Sequence, residues 1–335
     1  MKFSTMSLVL RLSAVTALLA GCAPSQIVIG TPSARSWILP EETGGHATLL
    51  YAPDETRYTV SVYDYKTGNL VGTLDGFDGP AGGCVDAAGN VLFVNQGNAT
   101  ILEFANAGTE PIHHYQGQPG WSGVGCSVNR HGDLAVAFQP LSSGPANICV
   151  WKAGRKSSMC YSDNDCGTMG APGYDATGNV YVEGYSHGPA ICELPAGAGA
   201  MKTVALSGGN GGLGTDGAMW DGKYLTLGAW SAGSSKRTSI YRVVESASGD
   251  LTVVGSTVLD GACNSGQSLV NQPFIVGTKN TPVNDRESHS VVGADAGCSA
   301  WPIDFWRYRA GGSPTKSWTV NTFTGGVVVS IGTHA

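Results

Sequence analysis

The stretch Val85-Asp86-Ala87-Ala88-Gly89-Asn90-Val91 decides the fold, because its pattern returns along the chain. Further copies are Val128–Leu134 and Tyr174–Val180, and a degenerate one is Trp220–Tyr224. An Asp or Asn side chain starts each tight turn, and glycine takes the left-handed position that closes the hairpin. A spacing of about 45 residues is the length of one four-stranded propeller blade. The turn glycines at this spacing are Gly89, Gly132, Gly178 and Gly222.

A second repeated element extends the count of blades to six. It is a short apolar strand followed in most copies by a turn rich in Gly, Ala, Lys or Ser and then by another strand. Neighbouring strands joined in this way form an antiparallel meander. The copies begin at Val60, Ile101, Ile148, Ile191, Ile240 and Phe305.

The end of the chain predicts how the ring closes. Gly325–Ile331 has the pattern of an innermost strand with no partner strands behind it, whereas the first blade, near Ala47–Tyr51, lacks an innermost strand. Pairing these two segments removes the open edges of the array. We therefore predict an all-β fold: a six-bladed β-propeller of four-stranded antiparallel blades, closed by the C-terminal strand joining the first blade.

The N-terminus predicts export and lipid anchoring. Lys2 and Arg11 precede an apolar run, Leu12–Leu19, that is too short to span a bilayer. The run ends in Leu19-Ala20-Gly21-Cys22, which resembles the bacterial lipobox, whose cysteine becomes the lipidated first residue. The predicted organisation is a signal peptide (1–21), a Pro- and Gly-rich tether (22–45) and the propeller (46–335). The expected location is the bacterial cell envelope, outside the cytoplasm, on the outer membrane or the periplasmic face.

Composition agrees with a turn-rich extracytoplasmic domain and argues against nucleic acid as a partner. Glycine accounts for 49 residues and charged residues for only 13% of the chain. With 25 acidic and 19 basic residues and no Lys/Arg cluster, the chain lacks the basic footprint that nucleic-acid binding requires.

The chain has nine cysteines, which leaves eight when Cys22 is assigned to the lipid. An even number in an exported chain predicts disulfides, although the order of the cysteines does not fix their pairing. Cys149 and Cys160 flank a hairpin turn and are one predicted pair. Cys263 and Cys298, which bracket the most irregular stretch, are the other. No Cys-x-x-Cys motif or zinc-ligand spacing occurs, so no metal site is predicted from the cysteines.

The chain resembles NHL-type six-bladed propellers, whose blades carry a strand, an Asp-x-x-Gly-Asn turn and a second strand. It also resembles a group of bacterial exported lipoproteins of this fold, through Ser36–Pro40, Gly125–Val128, Cys192–Pro195, Trp220–Tyr224 and Gly311–Pro314. The resemblance covers nearly all of residues 36–335. It implies fold and compartment but no single activity, because propellers serve as lyases, lactonases, redox enzymes and binding modules.

Candidate site residues are those in loops that ring the mouth of the central channel, where propellers commonly bind ligands. Two loop tryptophans could stack on a sugar or a peptide, or could cap the ends of blades. Two aspartates in Asp163-Asn164-Asp165 could contribute oxygens to a cation. His187 lies in Gly184–Gly188, which matches Gly-x-Ser-x-Gly but lacks the strand-to-helix turn of a hydrolase elbow. The candidate ligand-binding residues are Trp121, Asp163, Asp165, His187 and Trp230.

The scaffold is well specified, whereas no reactive group of residues is. We therefore expect a binding or protein-interaction module whose ligand is a protein, a peptide or a carbohydrate. No cofactor is predicted, and calcium or another divalent ion is left open. The alternative is an enzyme at the channel mouth, either a metal-assisted lyase or a lactonase-like hydrolase.

Overall fold

The computed structural model describes residues 36–39, 47–142, 144–209, 212–230, 237–261, 270, 272–277, 290–298, 301–320 and 325–332. They belong to one compact unit, Ala34–Ala335. Their strands pair into six sheets, almost wholly antiparallel, which are the six blades. The predicted all-β propeller is confirmed. Within these ranges no helix has the length and apolar character that a membrane crossing requires.

The strands are numbered along the chain. Blade one contains β1 (Trp37–Ile38), β2 (Thr48–Asp54), β3 (Thr59–Asp64) and β4 (Leu70–Leu74). Blade two contains β5 (Pro80–Val85), β6 (Val91–Asn95), β7 (Thr100–Phe104) and β8 (Pro111–Gln116). Blade three contains β9 (Trp121–Val128), β10 (Leu134–Pro140), β11 (Asn147–Trp151) and β12 (Ser158–Tyr161).

Blade four contains β13 (Thr168–Met169), β14 (Gly173–Tyr174), β15 (Val180–Tyr185), β16 (Pro189–Leu194) and β17 (Lys202–Val204), preceded by a short 3-10 helix, Asn164–Cys166. Blade five contains β18 (Leu206–Ser207), β19 (Gly212–Trp220), β20 (Leu225–Trp230), β21 (Thr238–Glu245) and β22 (Leu251–Val258). Blade six contains β23 (Phe274–Val276), β24 (Ser290–Ala294), β25 (Ile303–Arg307) and β26 (Lys316–Trp318). The last strand is β27 (Val328–Ile331).

Burial changes across each blade because the middle strands are covered by neighbouring blades on both faces. All five residues of β6 are buried, whereas β8, the outermost strand of the same blade, is mostly exposed. The six predicted apolar strands are the third strands β3, β7, β11, β16, β21 and β25. Since each blade can bury its middle strands only against its neighbours, stability depends on a complete ring.

The predicted turns join the first and second strands. In blade two, the Asp86 carboxylate accepts hydrogen bonds from the backbone N–H of Ala88 (2.9 Å) and of Asn90 (2.8 Å). Gly89 has a φ of +85°, the left-handed region that favours glycine. The equivalent Asp175 accepts from Thr177 N (2.8 Å) and Asn179 N (2.9 Å). The turn sequence therefore specifies its geometry locally.

The C-terminal strand closes the ring, as predicted. β27 pairs antiparallel with β2, with Leu50 opposite Val329, and so becomes the innermost strand of blade one. Val328 and Val329 are fully buried. The hydroxyl of Ser330 donates to Gly89 O of blade two and accepts from Asn106 Nδ2 (2.9 Å). The closing strand thus connects blade one to blade two as well as completing its own sheet.

Blade one has an additional strand on its outer side. Trp37 pairs with Thr73 and Ile38 with Gly72, and Leu39 N donates to Val71 O at 2.8 Å. These residues lie in the segment assigned to the tether from its Pro and Gly content. Ile38 is buried against the blade, so the apolar Trp-Ile-Leu run belongs with the sheet.

Candidate functional site

A central cavity of about 840 Å³, part of which is continuous with solvent, is lined by residues from the inner parts of all six blades and, in blade five, also by Thr226, Gly228 and Ile240 of β20 and β21. Successive strands are antiparallel, so all turns between first and second strands lie at one end of the ring. We call this end the turn face and the opposite end the loop face. The cavity reaches the turn face, because Val85, Val128, Tyr174 and Trp220 line it and each directly precedes a turn.

Six residues, five of them glycine or alanine, surround the channel on the inner side of this cavity. Four of them lie four positions before their turn residue, and blades one and six contribute one residue each. A Cβ on Gly125 would lie 2.7 Å from Ala171 Cβ, and one on Gly217 would lie 3.0 Å from it. The inner strands therefore approach closely here. The members of this small-residue ring are Gly82, Gly125, Ala171, Gly217, Gln272 and Gly326.

Gln272 is the one long side chain in the small-residue ring, and it extends across the channel. Its Nε2 donates to Val124 O of blade three at 3.2 Å. A Cβ on Gly82 would overlap Gln272 Oε1, and a Cβ on Gly326 would lie only 3.1 Å from the same oxygen. The carboxamide thus occupies space that the neighbouring glycines leave free, and it forms the inner end of the cavity.

The cavity wall carries no charged side chain among the described residues. Thr226 Oγ1 donates to Met219 O at 2.8 Å, so this hydroxyl is already used within blade five. Burial raises the pKa of the Tyr174 hydroxyl well above its ordinary value, and the negative charge of Asp133 makes a smaller contribution in the same direction. The phenol therefore stays neutral. Carboxylates such as Asp86 point into their own turns. The cavity therefore suits an uncharged ligand group.

One disulfide forms part of this wall. Cys84 of β5 is bonded to Cys126 of β9, which joins the innermost strands of blades two and three.

A second disulfide, Cys149–Cys160, joins β11 and β12, where the hairpin interpretation placed it. A third, Cys166–Cys192, attaches the 3-10 helix to β16. Cys298 is also disulfide-bonded, and its predicted partner Cys263 lies outside the described residues.

The residues predicted from the sequence lie toward the loop face, and Trp121, Asp163, Asp165 and His187 do not line the central cavity. Trp121 begins β9 and packs partly buried against the core between blades two and three. His187 is exposed in the turn between β15 and β16, with Nδ1 at 3.4 Å from Ser186 Oγ. Trp230 is the last residue of β20. The predicted lipidation site, Cys22, lies outside the described residues.

The two predicted aspartates come together above the outer part of blade four. Asp163 caps the 3-10 helix by accepting from Asp165 N at 2.9 Å. Thr203 Oγ1 of β17 donates to Asp165 Oδ2 at 3.0 Å and approaches Asp163 Oδ1 at 3.4 Å. This arrangement holds the loop onto the blade. In the described part of the chain, no group of three or more His, Cys, Asp or Glu side chains is placed to hold a metal ion.

Sequence reasoning missed the small-residue ring and the wall disulfide, although both leave a signal in the sequence. Aligning the repeats on the turn residue places Gly82, Gly125, Ala171 and Gly217 in one column. Cys84 and Cys126 both occupy innermost strands, 42 residues apart, which is close to the length of one blade. Comparing equivalent positions between blades would have found both features.

Comparison with solved structures places this chain among proteins of the same fold. A chain of a nidogen–laminin complex aligns with a TM-score of 0.60 at 14% identity, over 86% of this chain and 100% of that one. A Bacteroides caccae protein of unknown function aligns with a TM-score of 0.58 at 12% identity, over 85% and 99%. TolB from Acinetobacter baumannii aligns with a TM-score of 0.55 at 14% identity, over 87% and 68%.

Neither a protein-family model nor a curated protein matches the chain. At the identities of the solved structures, the similarity extends to the fold and carries no activity over to this chain. The comparisons and the strand pairing agree on a propeller, and a propeller is consistent with a binding or interaction module.

Proposed function

We propose that this chain is a lipid-anchored, extracytoplasmic binding module that takes an uncharged group of a protein or peptide ligand into the central cavity from the turn face. The observation that carries the proposal is the cavity wall, which combines apolar side chains with neutral polar groups. Trp220, Met219 and Phe274 provide apolar surface, and Gln272 provides a carboxamide. Such a wall favours binding over acid–base or metal chemistry, which needs charged or ligating groups.

The extracytoplasmic location is supported by the apolar N-terminal run and by the disulfides, which form in oxidising compartments. A protein ligand is supported by one structural neighbour, a chain of a nidogen–laminin complex. Trp121, Asp163, Asp165, His187 and Trp230 stay a prediction for further ligand contacts on the loop face.

The lipid anchor is tested by the substitution Cys22→Ala. The full-length wild-type chain is expected in the membrane fraction, and the variant in the soluble extracytoplasmic fraction, because a lipid chain adds about 0.8 kcal/mol of membrane affinity for each buried methylene group. Fractionation followed by immunoblotting measures the distribution. Ser25→Ala is a matched control, because it changes a nearby residue outside the predicted lipobox and leaves every cysteine in place. If both variants stay with the membrane, the anchor assignment is wrong.

Cavity binding is tested in the Cys22→Ala chain with two fluorescent probes, N-phenylnaphthylamine and its anionic counterpart anilinonaphthalenesulfonate. We expect the uncharged probe to bind at least about tenfold more tightly, because an unpaired sulfonate is costly to bury. Ser127 lines the cavity, so Ser127→Phe should fill it and abolish binding. Ser256→Phe on the exposed face of β22 is the control. Equal affinity of both variants for the uncharged probe would rule out the cavity as the site.

A further inference from the structure

Gln272 combines three features that no other member of the small-residue ring has together. It is the one member with a side chain longer than a methyl group, and that side chain crosses from blade six to Val124 O of blade three. It lines the cavity and is partly exposed to it. Its backbone adopts a φ of +46°, which is uncommon for a residue other than glycine.

The backbone conformation requires stabilisation by the surroundings. A left-handed non-glycine residue costs on the order of 1 kcal/mol or more, and such residues concentrate at ligand sites. Pro273 follows directly and restricts the Gln272 backbone further. Glycine would adopt this φ at lower cost and would match the small residues of the other blades. The presence of Gln here indicates that its side chain has a role that glycine cannot fill.

The hydrogen bond to Val124 fixes which end of the carboxamide is free. Val124 O lies on the inner edge of β9, where no further strand can pair with it. Nε2 donates to this carbonyl, which orients the amide group and directs Oε1 toward the space beside Gly82 and Gly326. Within the described residues, no donor reaches Oε1. The inner end of the cavity therefore presents one oriented acceptor.

We infer that Gln272 is the specificity-determining residue of the cavity: its Oε1 accepts a hydrogen bond from an N–H or O–H group at the leading end of an uncharged, largely apolar ligand. This inference rests on the proposed function, because it assigns a ligand class to the same cavity. An indole, a phenol or a carboxamide side chain has the required chemistry. The same group without its donor loses the hydrogen bond and leaves the acceptor desolvated.

The test compares indole with indene, which has the same shape but no N–H group, on the purified Cys22→Ala chain. We expect indole to bind about tenfold more tightly than indene, as measured by calorimetry or by ligand-observed NMR. Gln272→Met keeps a side chain of similar length but has no acceptor. It should bind both probes equally, with an indene affinity within about twofold of the parent chain.

Gln139→Met is a matched control. Gln139 Nε2 also donates to a backbone carbonyl across blades, that of Met169 at 3.1 Å, but Gln139 does not line the cavity. The Gln139→Met variant should keep the tenfold preference for indole over indene. If Gln272→Met fails to fold, Gln272→Asn serves instead, because Asn tolerates a left-handed backbone and its shorter carboxamide cannot reach the same position. It too should lose the preference.

Three results overturn the inference. Equal binding of indole and indene by the parent chain removes the role of Gln272 while leaving cavity binding intact. A Gln272→Met variant that still prefers indole over indene would likewise remove the role of Gln272 and leave cavity binding intact. If neither probe binds the parent chain, cavity binding itself is wrong and the assignment of Gln272 falls with it.

Discussion

Deletion of residues 327–335 is expected to unfold the entire propeller, not blade one alone. The deleted segment contains β27 and Val327, which precedes it; Val327, Val328 and Val329 are 3%, 0% and 0% exposed. Their burial contributes roughly 5–9 kcal/mol, at about 1.5–3 kcal/mol for each side chain. This is comparable with the total stability of a typical domain, about 5–15 kcal/mol. The deletion also exposes the edge of β2 and removes the Ser330 contacts with blade two.

Far-ultraviolet circular dichroism and size-exclusion chromatography measure the effect. The truncated chain should lack a cooperative thermal transition or should aggregate through the exposed strand edge. Removal of residues 333–335 alone is the control, because it leaves β27 complete. A rearranged chain tests whether stability can be restored. Gly332 N lies 3.1 Å from Ala47 O, so a short turn can join residue 332 directly to residue 47 and place residues 325–332 ahead of β2. This chain should regain the stability that the deletion removes. A truncated chain as stable as the full one would contradict the closure.

The repeat made the scaffold predictable because its information is local. An Asp or Asn that starts a turn and a glycine that ends it specify a hairpin without reference to the rest of the chain, as Asp86 and Gly89 do. The six short apolar strands found in the sequence are the third strands of the blades. Even the closure could be predicted, since Gly325–Ile331 is a strand without partner strands and the first blade lacks an innermost strand.

The site was less predictable because its information is shared between blades. Gly82 or Gly125 taken alone does not indicate a site, and only their equivalent positions in neighbouring blades show that they lie around Gln272. Sequence reasoning placed the candidate residues at the loop face on the basis of loop position. The structure places the central cavity toward the turn face, where the carboxylates serve the turns and the neutral side chains remain available.

The disulfide in the cavity wall should contribute more to stability than the one in the outer hairpin of blade three. Cys84 and Cys126 are 42 residues apart, whereas Cys149 and Cys160 are 11 apart. Cross-linking lowers the chain entropy of the unfolded state by an amount that grows with loop length. The expected losses on removal are about 4 kcal/mol for the wall disulfide and about 3 kcal/mol for the outer one.

Cys84→Ala/Cys126→Ala and Cys149→Ala/Cys160→Ala form a matched pair for this prediction. Urea unfolding monitored by circular dichroism gives the free energy of unfolding of each variant, and N-phenylnaphthylamine titration gives its cavity affinity. The wall disulfide joins β5 to β9 within the cavity, so its loss should weaken probe binding as well as stability. The outer disulfide lies away from the cavity wall, so its loss should lower stability alone. Unchanged probe affinity in the Cys84/Cys126 variant would mean that blades two and three hold their separation without a covalent link.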